Sequence, residues 1–135
     1  MFKRRCQRGF ATLEVILMIM VIGILASIAV PRFTAVTTSA NTAKIQADLA
    51  TIDTAIAIYK MEKGEDPKTF PDDLKDYLQD ASKIKPPTGK AYIGGKAMEI
   101  SGDYGIQAAT ATDDARATLT VGGTARTAGD FVKTK

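Results

Sequence analysis

Apolar residues follow one another almost without interruption near the start of the chain, from Phe10 to Val30. The interruptions are Thr12, Glu14, Gly23 and Ser27. As a helix, this stretch would be about 31 Å long at 1.5 Å per residue, which matches the roughly 30 Å hydrocarbon core of a bilayer. The pattern therefore predicts a helix that can cross a membrane.

A second apolar pattern follows the first one along the chain. Its members recur at spacings of four and three, the stripe of an amphipathic helix: Ile45, Leu49, Ile52, Ile56 and Tyr59. The two patterns together predict one near-continuous helix from Phe10 to about Lys63, with Gly64 as a natural stop. Residues 10–30 form its membrane-spanning half, and residues 31–63 form its amphipathic half.

Two helix-weakening residues lie near the junction of these halves. Pro31 has no amide hydrogen, so the carbonyl of Ser27 loses its usual helical partner. Gly23 lies eight residues before Pro31. The sequence predicts that the helix can bend or melt between Gly23 and Pro31.

Residues 64–135 are predicted to form a small globular head that packs on the amphipathic stripe, because so short a segment is marginal alone. Pro71 in a first turn and core-facing Leu74 and Leu78 predict a short helix at 71–79. Four strand-like runs predict an antiparallel sheet of three or four strands: KAYI, KAMEI, YGIQAAT and RATLTV. The run GDFVK is either another strand or a loose tail. The predicted fold class is α+β.

Charge gives the expected orientation of the helix in the membrane. Four cations precede the apolar run, which are Lys3, Arg4, Arg5 and Arg8. By the positive-inside rule, the N-terminus lies in the cytoplasm and the C-terminal region lies outside. Beyond Gly9 the remaining 14 Lys and Arg face 15 Asp and Glu, so nucleic-acid binding is not indicated. The single cysteine, Cys6, excludes an intramolecular disulfide.

Two ordinary interpretations of the apolar run leave Glu14 unexplained. The run is typical of a secretory signal cleaved near Ser27–Ile28–Ala29, and equally of an unprocessed single-pass anchor. A carboxylate in a membrane helix costs about 2 to 3 kcal/mol at mid-bilayer and less near an end. Such a cost indicates that Glu14 has a partner.

The stretch RGFATLEVILMIMVIGILASIAVPRF resembles the N-terminus of bacterial type IV pilins and of the pseudopilins of type II secretion. A basic leader ends at Gly9, Phe10 follows, Glu14 comes four residues later, and Gly23 and Pro31 fall where that family has its helix-weakening residues. The resemblance covers about a quarter of the chain. The tryptophan-containing C-terminal segment common in major pseudopilins is absent, which favours the pilin subtype.

The resemblance implies a maturation and assembly pathway. A prepilin peptidase would remove the leader, residues 1–9, by cutting after Gly9, and would methylate the new amine of Phe10. Glu14 would pair with that amine on a neighbouring subunit as the chains polymerise through their N-terminal helices. An assembly ATPase and a platform protein would extract the subunit from the cytoplasmic membrane into an extracellular pilus or a periplasmic pseudopilus.

No constellation of catalytic or metal-binding residues is evident in the sequence. The absence of histidine excludes His-based catalysis and His-containing zinc sites. The segment PPTGKAY lacks the first glycine and the Ser or Thr of a phosphate-binding loop, so it is predicted as a turn. Calcium is the alternative to a solvated face for two acidic groups: Asp72, Asp73, Asp76 and Asp80, and Asp103, Asp113 and Asp114. Neither group is assigned a metal or another cofactor.

The sequence thus predicts a structural, polymerising subunit and not an enzyme. The first hypothesis is a type IV pilus subunit, which includes pili for attachment, motility or DNA uptake. The second is a type II secretion pseudopilin. The third, from a different class, is a membrane-anchored or secreted binding module that does not polymerise.

Overall fold

The computed structural model describes residues 7–133, and it describes side chains from Gly9 onwards. The chain divides into two compact units, the first ending at Val36 and the second beginning at Thr37. Most of the predicted leader, including Cys6 and the cations at positions 3 to 5, lies outside the described residues. One helix, α1 (Gln7–Lys63), supplies all of the described first unit and the start of the second.

In the first unit, α1 stays helical through Gly23 and Pro31. Two hydroxyl groups in this region bond to the helix itself. Ser27 Oγ donates to the carbonyl of Ile24 at 2.7 Å, and Thr34 Oγ1 donates to the carbonyl of Val30 at 3.2 Å. These bonds satisfy the hydroxyl donors inside the helix, as an apolar solvent requires. The predicted flexibility of this interval stays a prediction.

In the second unit, one face of α1 is buried beneath the sheets. Ile45, Leu49 and Ile52 are fully buried, and Ile56 is nearly so. Tyr59 packs at the edge of the same core and meets Tyr77 edge to face, with ring centroids 5.5 Å apart. The predicted stripe is thus the contact face of the helix.

Five strands form two antiparallel sheets where the sequence predicted one sheet of three or four strands. β1 (Lys90–Ile93) pairs with β2 (Lys96–Glu99). The second sheet has the order β3-β4-β5, made of β3 (Tyr104–Gln107), β4 (Arg116–Val121) and β5 (Thr124–Arg126). The predicted α+β class is confirmed.

Two glycine pairs make the tight hairpin turns of these sheets. Gly94 and Gly95 have φ values of 53° and 82°, and Gly122 and Gly123 have 59° and 79°. A two-residue hairpin with positive φ at both central positions matches the twist of the flanking strands, and glycine adopts it without strain. β5 escaped prediction because it is three residues long and mostly exposed, so it carries no alternating pattern.

The predicted helix at 71–79 is replaced by a 3-10 helix, Asp72–Leu74, followed by hydrogen-bonded turns. Leu74 and Leu78 are both buried, as predicted. The amide of Leu78 donates one helical hydrogen bond to the carbonyl of Leu74, which places the two side chains on the same side. The Asp73 carboxylate accepts the amide hydrogens of Lys68 and Thr69, both at 2.8 Å, and these bonds lower the pKa of Asp73. The Asp73 side chain therefore fixes the conformation of the preceding loop and does not start a regular helix.

The segment GDFVK is neither a strand nor a loose tail. Phe131 is fully buried behind a 3-10 helix, Ala128–Asp130, that begins with a capping box at Thr127. The carbonyl of Phe131 accepts a hydrogen bond from Gln46 of α1. The amides of Gly94 and Gly95 donate to the carbonyls of Asp130 and Val132 at 2.9 and 3.0 Å. This segment ties the β1-β2 turn to the helix.

We expect Phe131→Ala to lower the free energy of unfolding by about 3 to 5 kcal/mol, because it removes a fully buried aromatic side chain. The neighbouring variant Val132→Ala is the matched control, since Val132 is 45% exposed, and we expect a change within about 0.5 kcal/mol. Denaturant unfolding of the full chain in detergent micelles, followed by circular dichroism, measures both. Equal effects of the two substitutions would contradict the buried anchor.

Stability is also expected to fall at alkaline pH through Tyr104. Burial and a 2.7 Å hydrogen bond from its hydroxyl to Asp48 Oδ2 raise the pKa of Tyr104 above its usual value. The folded state therefore keeps a proton that the unfolded chain loses near pH 10, so this contribution is complete below about pH 10 and declines above it.

Unfolding midpoints measured from pH 8 to pH 11 check this expectation. Tyr104→Phe should flatten the decline without abolishing it. A smaller slope remains because a hydrogen bond to Glu62 raises the pKa of Tyr77 to about 12. An unchanged slope in Tyr104→Phe would contradict the assignment.

Candidate assembly site

The first unit presents an extensive apolar surface, which we call the apolar helix surface and define as the large apolar side chains of α1 from Phe10 to Val36. Every one of them is more than half exposed. Within the described residues, α1 is the one helix long and apolar enough to cross a membrane, with a mean hydropathy of 2.7 and no burial in its most apolar window. A surface of this extent needs lipid or other helices to cover it.

Glu14 interrupts the apolar helix surface with a carboxylate. From Gly9 to Val36 the sequence holds one other charged residue, Arg32, which is about 27 Å away along the helix. Among the side chains described, positions 9–133, no cation lies within ion-pair distance of Glu14. The Glu14 carboxylate therefore has no cationic partner among the described side chains.

Gly9 and Phe10 lie in the first turns of α1, close to Glu14 along the helix. A Cβ atom built at Gly9 would meet nothing within 4 Å, and the Phe10 side chain is 76% exposed. A protease that cuts an extended backbone between these residues must unwind this turn. Glycine eases that step because it lowers helix stability by about 1 kcal/mol relative to alanine.

Gly23 and Pro31 lie further along the same helix, so the structure does not bring them together with the first three predicted residues. The space around Gly23 is open, since a Cβ atom there would also meet nothing within 4 Å. Packing among the described residues therefore does not explain a glycine at position 23.

The acidic groups considered for calcium are mostly engaged by lysines or by the backbone. Asp72 pairs with Lys75 at 2.6 Å, and Asp80 pairs with Lys83 at 3.1 Å. Asp114 contacts Lys60 at 2.8 Å, and this contact lowers the pKa of the carboxyl group. In the described part of the chain, no three His, Cys, Asp or Glu side chains lie close enough together to hold a metal ion.

The segment with a weak likeness to a phosphate-binding loop supports the helix instead. Gly89 has a φ of 100°, which favours glycine. The carbonyls of Thr88 and Lys90 on either side both accept hydrogen bonds from the Asn41 amide nitrogen at 3.0 Å. The turn is fixed to α1 by these bonds.

Three polar side chains that the sequence analysis did not single out join α1 to the sheets. Thr42 Oγ1 accepts the amide hydrogen of Tyr92 in β1 at 2.8 Å. Asp53 Oδ1 accepts the amide hydrogen of Ala117 in β4 at 2.6 Å. Asp48 accepts the hydroxyl hydrogen of Tyr104 in β3, as described above. In the sequence, these three residues are marked only by their position beside the apolar stripe.

No protein-family model and no solved structure matches the chain. Among curated proteins, the chain is 34% identical over 67 residues to the type II secretion system core protein G of Klebsiella michiganensis. The aligned residues make up 50% of this chain and 47% of that protein. The chain is 35% identical over 69 residues to the protein of the same description in Vibrio cholerae, covering 51% and 47%.

A further relative is described as the type IV narrow pilus major component PilA5 of Thermus thermophilus, with 45% identity over 51 residues, or 38% of this chain and 44% of the relative. The chain thus spans about half the length of the curated relatives it matches. The chain is thus similar over part of its length to type II secretion core proteins and to a type IV pilus component, and its long apolar helix and small antiparallel sheets form the pilin-like arrangement that the sequence predicted.

Proposed function

We propose that this chain is the structural subunit of a type IV pilus-like filament, polymerised through α1. The observation that carries the proposal is the apolar helix surface, whose large side chains are more than half exposed, together with the Glu14 carboxylate, which has no cationic partner among the described side chains. The helix that carries both continues into a folded unit. Parallel copies of this helix would bury that surface against one another. The names of the relatives support a filament subunit of the pilus or pseudopilus kind. We assign the chain no catalytic role.

Maturation precedes assembly in this proposal. A prepilin peptidase removes residues 1–9 after Gly9 and methylates the amine of Phe10. The cut removes four positive side chains and leaves one ammonium group at the start of the apolar helix surface. Before assembly the chain spans the cytoplasmic membrane once, with its C-terminal unit outside. An assembly ATPase and a platform protein then drive its extraction.

Glu14 sets the register between subunits. An ammonium group and a carboxylate are each costly in an apolar medium, and their pairing reduces the cost of both. The Phe10 amine of one copy meets Glu14 of the next when neighbouring helices are shifted along their axes. The pair therefore selects one stagger from many that apolar packing alone would accept.

A periplasmic pseudopilus is the second candidate function. Eight curated proteins match the chain, and seven of them are described as type II secretion system core protein G. This majority favours the pseudopilus alternative. Electron microscopy of sheared surface fractions separates the two candidates, since long filaments in that fraction indicate a pilus. A short assembly retained in the periplasm indicates the pseudopilus.

The mass of the mature N-terminus tests the maturation step. We expect a chain that begins at methylated Phe10. Gly9→Leu should leave the full-length chain uncut, because a bulky side chain obstructs a narrow protease cleft, whereas Gly23→Leu should be processed normally. Both glycines lie in open space, so the pair is matched for its effect on the helix. A start near Val30 would instead indicate an exported soluble protein, and an intact Met1 a simple anchor.

Replacement of Glu14 by alanine tests the pairing. We expect the mature chain to accumulate with its Phe10 terminus, while the yield of filaments falls by about tenfold or more, because a buried ammonium group is left unpaired. Glu14→Asp is the control that keeps the charge, and it should retain part of the yield. A normal filament yield from Glu14→Ala would contradict the pairing mechanism.

A further inference from the structure

The second unit has one end that is tethered close to the membrane in the single-pass stage proposed above. Six residues, 31–36, join the predicted span to this unit, and as a helix they cover about 9 Å. Even fully extended, they reach only about 20 Å. The Thr37 end of the second unit is therefore held within reach of the lipid headgroups, whichever way the chain bends at Pro31.

Contacts with α1 show which parts of the second unit lie at this end. Asn41 donates a hydrogen bond to the carbonyl of Lys90 at 3.0 Å. Val132 lines a cleft of about 210 Å³ together with Ser39, which belongs to the first turn of α1 within this unit. The amide of Gly95, in the β1-β2 turn, donates to the carbonyl of Val132 at 3.0 Å. The β1-β2 hairpin and the segment after Phe131 thus lie together at the Thr37 end.

Exposed lysines dominate the charge of this end, and we call them the basal surface. They are Lys90, Lys96 and Lys133. Glu99 lies opposite the first of these lysines in the hairpin. The Asp130 carboxylate is engaged with the amide and hydroxyl groups of Thr127, and the residue is half-buried. Arg32, in the segment that joins the span to this unit, adds one more exposed cation. The side of the unit nearest the span in the chain is therefore basic.

The opposite end of the second unit, near Lys63, carries an acidic excess. From Glu62 to Asp76 the sequence holds six acidic residues and three lysines. Asp113 and Asp114 lie at the same end, because Asp114 contacts Lys60 at 2.8 Å. A negatively charged surface therefore attracts one end of the unit and repels the other.

We propose that the basal surface binds the headgroups of anionic lipids, such as phosphatidylglycerol, while the chain spans the membrane. The inference rests on the membrane stage of the proposed function and adds a position for the folded unit. An anionic lipid surface favours the bound state by about fivefold for each lysine near it. Lysine carries its charge at the end of a flexible stem, which suits it to reach phosphate groups. The contact keeps the acidic end away from the lipid, and extraction into a filament has to break it.

Nanodiscs that contain the full chain test this contact with a fluorophore at a single position. In a Cys6→Ser background, Val132→Cys carries the label at the basic end and Met61→Cys carries it at the acidic end, and both native side chains are exposed. A quenching spin label is attached to a phosphatidylcholine headgroup, in discs with or without phosphatidylglycerol. We expect phosphatidylglycerol to increase the quenching at position 132 and to leave position 61 unquenched. Salt at about 1 M, where the Debye length falls to about 3 Å, should remove the increase.

Charge reversal identifies the side chains responsible. The double variant Lys96→Glu and Lys133→Glu should lower the population quenched at position 132 by about fivefold or more in phosphatidylglycerol discs, because attraction becomes repulsion. The matched control is the double variant Lys63→Glu and Lys68→Glu, which makes the same change of charge at the acidic end and should keep the quenching. All four lysines are exposed and form no ion pair among the described residues, so unfolding midpoints should change little.

The outcomes separate this inference from the proposed function. A chain that elutes apart from the discs on size exclusion does not insert into lipid, and this result overturns both the membrane stage and the headgroup contact. A chain that stays in the discs, with quenching at position 132 that is equal in the two lipids or unaltered by the basal reversal, overturns the contact alone. Quenching that requires phosphatidylglycerol, falls with salt, is lost in the basal reversal and persists in the control establishes the contact.

Discussion

The structure depends on one constraint, which is that a single helix must satisfy two different environments. Up to Val36, α1 exposes large apolar side chains all round, and nothing in the described part of the first unit covers them. From Thr37 onwards, the same helix shows an apolar stripe on one face and polar residues elsewhere. The first pattern requires lipid or identical helices, and the second requires a folded partner within the chain. Residues 64–133 supply that partner.

The fit of the second unit to its helix combines apolar burial with placed polar contacts. Burial of Leu49, Ile52 and Phe131 supplies the non-directional part of the stability. Thr42 and Asp53 each accept a backbone amide hydrogen from a strand, so each sheet has a fixed position on the helix. A buried amide without a partner is costly, so these bonds penalise other registers of sheet on helix.

Periodicity predicted the helix and its buried face well because a stripe of Ile and Leu at spacings of three and four has one helical solution. The strands RATLTV and KAYI were also found, since their flanking turn residues delimit them. The division into two sheets and the burial of Phe131 were missed because both follow from tertiary contacts, including Gln46 with Phe131. In the candidate site, the motif selects Gly9, Phe10 and Glu14, and the partners proposed for these residues belong to other molecules.

Apolar packing and charge have different roles in the assembly of the proposed filament. Burial of the apolar helix surface supplies most of the association free energy, yet it specifies neither register nor direction because it is roughly proportional to area. In the proposed filament the pair of Glu14 with a Phe10 amine supplies this specification, because both charges lie in an apolar medium and each is costly there when unpaired. Dissolved salt does not screen charges in that medium, so added salt is expected to leave the register of the helices unchanged.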